Sequence, residues 1–148
     1  MTHHYYNSTC VSIDGMGVLI EGAPKSGKSS LALSLIEEGA KLVSDDLTFL
    51  SLQNQKIYTQ VPERLAGFIH VRELGLINLK SYETNSVEVK VLIRLTKNPD
   101  EFSGQNKVSL FGVEIAVFNF YVYDFALTTK LKAVIKLLKN EWSFVEKI

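Results

Sequence analysis

The sequence predicts an α/β fold, a mixed sheet with flanking helices, and three stretches carry that expectation. The first is an apolar run, Gly17-Val18-Leu19-Ile20-Glu21, then the nine residues Gly22-Ala23-Pro24-Lys25-Ser26-Gly27-Lys28-Ser29-Ser30, then Leu31, Leu35 and Ile36 at helical spacing. It reads as strand, glycine-rich loop and helix. The second is Val87 to Leu95, where Val87, Val89, Val91 and Ile93 alternate with Glu88, Lys90, Leu92 and Arg94. That two-residue period marks a strand with one face toward a core. The third is Leu127 to Leu138. Here Leu127, Leu131, Val134, Ile135 and Leu138 fall on one helical face, with Lys130, Lys132, Lys136 and Lys139 turned to solvent.

The remaining elements follow in order. Ser8 to Ile13 alternates weakly and ends in Asp14-Gly15, a hairpin signal, with Val18 to Glu21 as the returning strand. The first helix covers Ser29 to Glu38 and stops at Gly39, the expected left-handed residue. Lys41 to Val43 is a short strand that runs into Ser44-Asp45-Asp46, and it is expected beside the strand that precedes the glycine loop. Leu47 to Leu52 and Lys56 to Gln60 are strands about the turn Gln53-Asn54-Gln55, and Pro62 ends the ladder. Arg64 to Leu79 has no single period. Asn98 to Lys107 is a polar loop, and Val113 to Val122 is a second strand rich in β-branched and aromatic residues. Its end, Phe118 to Tyr123, is apolar on both faces, as in a buried or interface strand.

Composition narrows the class. With 148 residues, 46% hydrophobic and 22% charged, the chain suits one soluble globular domain, 1–148. A net charge of zero supplies no electrostatic case for nucleic acid or an anionic membrane. The apolar runs are too short for a membrane span, and the first residues lack a signal peptide's basic start and apolar core. The single cysteine, Cys10, admits no internal disulfide and is expected as a buried structural thiol. Together these features predict a cytoplasmic protein with no nucleic-acid or membrane partner.

Gly22 to Ser30 fits G-x-x-x-x-G-K-[ST] in the strand–loop–helix setting that motif requires. Gly22 and Gly27 let backbone N–H groups turn around phosphate oxygens, and the helix N-terminus adds about half a positive charge. Lys28 would reach the β- and γ-phosphates, and the Ser29 hydroxyl would bind Mg²⁺. Asp45 and Asp46 follow a short strand seventeen residues after Lys28. Carboxylates at that place can hold Mg²⁺ or act as a base on an incoming hydroxyl.

These residues also resemble a known family. Gly17 to Gly22 with the loop, Leu31-Ala32-Leu33, and Gly39-Ala40-Lys41-Leu42-Val43-Ser44-Asp45-Asp46 are similar to the C-terminal catalytic domain of HPr kinase/phosphorylase. So is Val71-Arg72-Glu73-Leu74-Gly75-Leu76-Ile77-Asn78-Leu79, which resembles the family's second signature. The resemblance implies a P-loop core akin to phosphoenolpyruvate carboxykinase, in the short proteobacterial form without the family's N-terminal domain. It implies a Mg²⁺-dependent serine kinase that uses ATP or pyrophosphate on HPr, the phosphocarrier of the sugar phosphotransferase system, or on a paralogue. It implies reversal by phosphorolysis and a homo-oligomer, commonly a hexamer. By position, Asp45 matches the family's proton acceptor, Ser29 its Mg²⁺ ligand, and Arg72 to Leu79 the segment needed in both directions. Asp46 is the metal-side partner. His70 falls where the family has a metal-binding glutamate, and Glu73, in place of a glycine, would restore that charge.

The chain departs from the family elsewhere too. Asn7 stands where the family has a histidine, with His3 and His4 just upstream, and Asp100 to Gly104 lacks the later arginine. The segment tied to dephosphorylation is not recognisable in Lys107 to Glu114. Two alternatives therefore stay open: a diverged nucleotide-binding regulatory module, and a small-molecule P-loop kinase.

Overall fold

The computed structural model describes residues 2–62 and 64–147; Met1, Glu63 and Ile148 lie outside the described residues. In chain order the strands are β1 (Thr2–Tyr6), β2 (Thr9–Ile13) and β3 (Met16–Gly22), followed by helix α1 (Lys28–Glu37). Then come β4 (Lys41–Ser44), β5 (Thr48–Gln53), β6 (Lys56–Gln60), β7 (Phe68–Val71), β8 (Gly75–Asn78) and β9 (Glu88–Thr96). A short 3-10 helix, Pro99–Phe102, leads to β10 (Lys107–Leu110), β11 (Val113–Tyr121) and helix α2 (Leu127–Leu138). The main sheet has nine strands in the order β1-β5-β6-β9-β3-β2-β4, with β11 also on β9 and β10 on β11. β7 and β8 form a separate hairpin.

The sheet is mixed. β3, β9 and β11 run parallel. β2 is antiparallel to both β3 and β4, so β4 points the same way as β3. Four strands therefore bring their carboxyl ends to one end of the sheet. This corrects the expected neighbour of Lys41–Ser44: it pairs with β2, not with β3. The reason is the hairpin. Asp14 and Gly15 both have positive φ, 51 and 79, as a tight two-residue turn demands. β2 is thus laid on one edge of β3 at once, β9 takes the other, and β4 finds only the far side of β2.

Val87 to Leu95 also differs from its expected alternation. Gly17 pairs with Val89 but Val18 pairs with Val91, so Lys90 is an extra residue bulged out of the ladder. A bulge reverses the facing of everything beyond it. Val87 and Val89 accordingly pack in one core with Leu92, while Val91, Ile93 and Leu95 pack in the other. The core of Val91, Ile93 and Leu95 lies under α1, α2 and β7, and that of Val87, Val89 and Leu92 lies under β5, β6 and β10. With both faces covered, Val18, Leu19 and Ile20 of β3 are wholly buried.

The helices form as their spacing predicts. α1 buries Leu31, Ala32 and Leu35, and Gly39 at φ 108 ends the turn with its N–H on Ile36 O, 3.1 Å away. α2 buries Leu131, Val134 and Ile135. It docks on α1 through Ser34 Oγ and Thr128 Oγ1, 2.6 Å apart, and through Lys132 and Glu38 at 2.9 Å. Cys10 is fully buried, and burial pushes its thiol well up from the ordinary range. No helix among the described residues is long and apolar enough to cross a membrane.

β1 and β10 are strands where no period marked them. Thr2-His3-His4-Tyr5-Tyr6 is largely exposed and becomes a strand by pairing with β5. Arg64 to Leu79 resolves into the β7–β8 hairpin, whose turn holds Glu73 at φ 72.

Candidate active site

The loop between β3 and α1 is shaped by its two glycines for different reasons. A Cβ on Gly22 would lie 2.3 Å from Ser26 Oγ and 3.2 Å from Leu95 Cβ, so the loop folds back on a residue with no side chain. Gly27 has open space around it but φ 98, the left-handed backbone that glycine adopts without strain. The Ser26 N–H donates to Ala23 O at 3.0 Å, and the Leu31 N–H donates to Gly27 O at 2.9 Å. The first-turn amides of α1 are thereby left without intrahelical acceptors. No acidic residue stands in that turn. The helix end can therefore receive an anion. Among the described residues the Ser26 hydroxyl, buried in the loop, has no hydrogen-bond partner.

Asp45, the first residue past β4, is held from three directions. Its Oδ1 accepts from Ser29 Oγ at 2.7 Å and from Thr9 Oγ1 at 2.9 Å. Its Oδ2 accepts from the His70 N–H at 2.8 Å. Asp46 turns away. Its φ is 66, and the Leu47 N–H reaches back to Asp45 O at 2.8 Å, closing a three-residue turn. The two adjacent carboxylates therefore diverge. Asp46 Oδ1 lies 3.4 Å from Lys28 Nζ, with the lysine side chain only 12% exposed and the aspartate 83% exposed. Behind Asp45 lie three buried hydroxyls, Ser8, Ser44 and Thr48, joined at 3.1 and 2.7 Å. Fully satisfied polar networks of this kind hold a site rigid.

Most of the anticipated residues converge on one cleft of ≈ 390 Å³, lined by the loop from Pro24 to Ser30 and by Asp45, Asp46, His70 and Arg72, while Gly22 and Ala23 line a separate cleft. His70 contributes its amide to Asp45, from β7. Arg72 stands in the exposed hairpin turn. Glu73, expected to restore a charge there, does not line the cleft. His3 and His4 are also elsewhere: His3 Nδ1 meets Gln60 Nε2 at 3.0 Å, and His4 stacks on Phe111. Among the described residues no group of three or more His, Cys, Asp or Glu could hold a metal. The Ser29 and Asp45 oxygens, 2.7 Å apart, fit a hard cation that takes few protein ligands and completes its shell with water and phosphate.

Thr9, the His70 amide and Arg94 were not marked by any motif. Arg94 Nε bonds Glu21 Oε2 at 3.0 Å, and Nη1 bonds Gln105 Oε1 at 2.8 Å and Asn119 Oδ1 at 3.0 Å. Its guanidinium lies 4.4 Å from the centre of the Phe102 ring. The Tyr6 hydroxyl bonds the same Glu21, and burial together with that carboxylate pushes the phenol well up from its usual range. This network lies just beside the glycine loop. Thr9 and Arg94 owe their places to strand pairing, which leaves no local mark in the sequence.

Residues 1–136 match the family described as HPr Serine kinase C-terminal domain. The HPr kinase/phosphorylase of Chloroherpeton thalassium is 27% identical over 147 residues, spanning 91% of this chain and 43% of that protein. The HPr kinase/phosphorylase of Mycoplasmopsis pulmonis is 41% identical over 75 residues, 51% of this chain and 24% of that one. The chain thus spans less than half the length of these curated relatives. Among solved structures, the Hpr(Ser) kinase/phosphatase from Coxiella burnetii superposes with a TM-score of 0.81 at 25% identity, covering 93% of this chain and 97% of that one.

Proposed function

The chain belongs to the HPr serine kinase C-terminal domain family, and from that premise we propose that it transfers the γ-phosphoryl group of ATP to a serine of an HPr-like phosphocarrier, regulating carbon metabolism. One observation carries the reading: three hydrogen-bond donors converge on Asp45 at the mouth of the glycine loop. In this reading Gly22 to Ser30 is a phosphate-binding P-loop, part of a core akin to phosphoenolpyruvate carboxykinase. Its first-turn amides and Lys28 take the β- and γ-phosphates.

Asp45 accepts the serine proton while the serine oxygen bonds phosphorus and the β,γ-bridging oxygen leaves with ADP. Its three donors fix which lone pairs face the cleft, and in phosphoryl transfer positioning supplies most of the catalysis. Ser29 and Asp45 would hold Mg²⁺, with Asp46 and His70 at the rim, and bound Mg²⁺ would neutralise charge on the phosphates. Arg72, exposed on the β7–β8 turn, faces the incoming protein. Assembly into a homo-oligomer, a hexamer by family resemblance, belongs to the same proposal.

The test is transfer of label from γ-labelled ATP to a serine of HPr. Asp45→Asn keeps the shape of the site and should lose roughly 10²–10⁴ of the transfer rate, the scale of acid–base catalysis, with ATP affinity retained. Transfer at the parental rate would overturn the assignment.

A further inference from the structure

Glu21 is the last residue before the glycine loop, and Arg94 of β9 stands beside it. We propose that Arg94 is a positioning residue for the loop's anion site: it acts through Glu21, cancelling and fixing a carboxylate that would otherwise oppose phosphate at the loop's entry. The inference rests on the phosphate-binding reading above and adds what keeps that site open to an anion.

Strand pairing places the two residues. β3 and β9 run parallel, Glu21 lies opposite Arg94 in the register, and Gly22, where the loop begins, lies opposite Leu95. Glu21 and Arg94 line the separate cleft of ≈ 1040 Å³ together with Gly22 to Ser26, and Glu21 is the one acid lining it among the described residues. The carboxylate therefore shares a wall with the loop that receives the anion.

Burial makes its charge matter. The Glu21 and Arg94 side chains are only 22% and 14% exposed. Charges withdrawn from water are weakly screened, and an acid beside an anion site repels the anion. Both Glu21 oxygens are instead occupied. Oε2 accepts from Arg94 Nε at 3.0 Å, and Oε1 accepts from the Tyr6 hydroxyl. Tyr6 brings a hydrogen bond but no charge. Among the described residues Arg94 alone forms an ion pair with Glu21.

Arg94 is itself held. Its Nη1 donates to Gln105 Oε1 at 2.8 Å and to Asn119 Oδ1 at 3.0 Å, and the Phe102 ring centre lies 4.4 Å from the guanidinium carbon. Gln105 and Asn119 are neutral, so they orient the guanidinium and leave its charge to Glu21. A planar fork fixed in this way loses little further freedom when it meets the carboxylate.

The test is calorimetric binding of Mg-tripolyphosphate to the parent and four variants. Arg94→Met strands the carboxylate and should weaken binding about ten-fold, the scale of one charge acting across about 10 Å at an effective dielectric of about 20. Arg94→Lys keeps the charge without the fork and should stay within about three-fold of the parent. Glu21→Gln removes the acid, leaves the cation and should tighten binding by about three-fold or more. Glu21→Gln combined with Arg94→Met should return binding to within about three-fold of the parent. A pair that only held the fold together would weaken binding whichever member was changed. Thermal melts check each variant, and Glu21→Gln alone decides the question where Arg94→Met does not fold. If Glu21→Gln weakens binding or leaves it unchanged, or if the double variant binds as poorly as Arg94→Met, the assignment is overturned while the phosphate reading stands. If tripolyphosphate does not bind the parent, the phosphate reading fails and this inference fails with it.

Discussion

The Thr9 hydroxyl, wholly buried, donates to Asp45 Oδ1 and accepts the Asp46 N–H at 3.2 Å. One oxygen thus sets both the carboxylate and the turn that splits the two acids apart. Thr9→Val keeps the volume and removes the hydroxyl. It should slow phosphoryl transfer roughly ten-fold, because one hydrogen bond to a charged group contributes about 1.5–3 kcal/mol and only part of that is positional. ATP affinity should hold, and Thr9→Ser should restore the rate. Equal transfer rates for Thr9→Val and the parent would remove Thr9 from the positioning of Asp45. Glu73 shows the same scale from the side of strain. It sits at φ 72 where the resemblance places a glycine, and that backbone explains why glycine suits the turn.

Among the elements, β9 bears the most. It joins β3 to β11, and its bulge at Lys90 lets one strand serve two cores. Lys90 itself is exposed, so Lys90→Ala should shift stability by no more than about 0.5 kcal/mol. Deleting Lys90 is a different change. It makes Val91 the immediate neighbour of Val89, so an unbroken ladder keeps Val87 and Val89 on one face and Val91, Ile93 and Leu95 on the other, and the variant should keep its cooperative urea transition. A deletion variant that loses its cooperative transition would show that Lys90 is not the residue by which the ladder shifts. The sequence periodicity of β9 was legible, but the bulge was not, since apolar residues on both sides of Lys90 fit an unbroken alternation equally well.

At the scale of the whole molecule, a buried acid ties the chain between β8 and β9 to the far edge of the sheet. Glu83 Oε1 accepts from Ser12 Oγ at 2.6 Å, Oε2 accepts from the Asn85 N–H at 3.2 Å, and its own N–H donates to Leu42 O at 2.8 Å. Burial acts to raise its pKa, but these hydrogen bonds and the Lys41 charge outweigh it and hold the carboxyl below its ordinary 4.5. A carboxylate depressed on folding stabilises the protein above the unfolded value, and that contribution is lost as pH falls through the folded value. Urea midpoints at about pH 6 and about pH 3 should therefore converge between the parent and Glu83→Gln at the lower pH. A constant difference between the two would show that Glu83 acts through packing alone.

What the sequence by itself determined is everything set by neighbours within a few residues. The Asp14-Gly15 turn, the glycine loop, the faces of α1 and α2, and the placing of two acids just past a short strand depend on backbone φ, helical period and helix-end charge. Those features marked Lys28, Ser29, Asp45 and Asp46, the family resemblance added His70 and Arg72, and all six line one cleft. The tertiary structure decided which strand lies beside which, where β9 bulges, what holds Asp45, and that a second cleft opens beyond the loop. Thr9 meets Asp45 across 36 residues of chain and Arg94 meets Glu21 across 73. Such contacts form only when competing strand pairings are resolved by burying both faces of the sheet together, a cooperative choice that no local window of sequence contains.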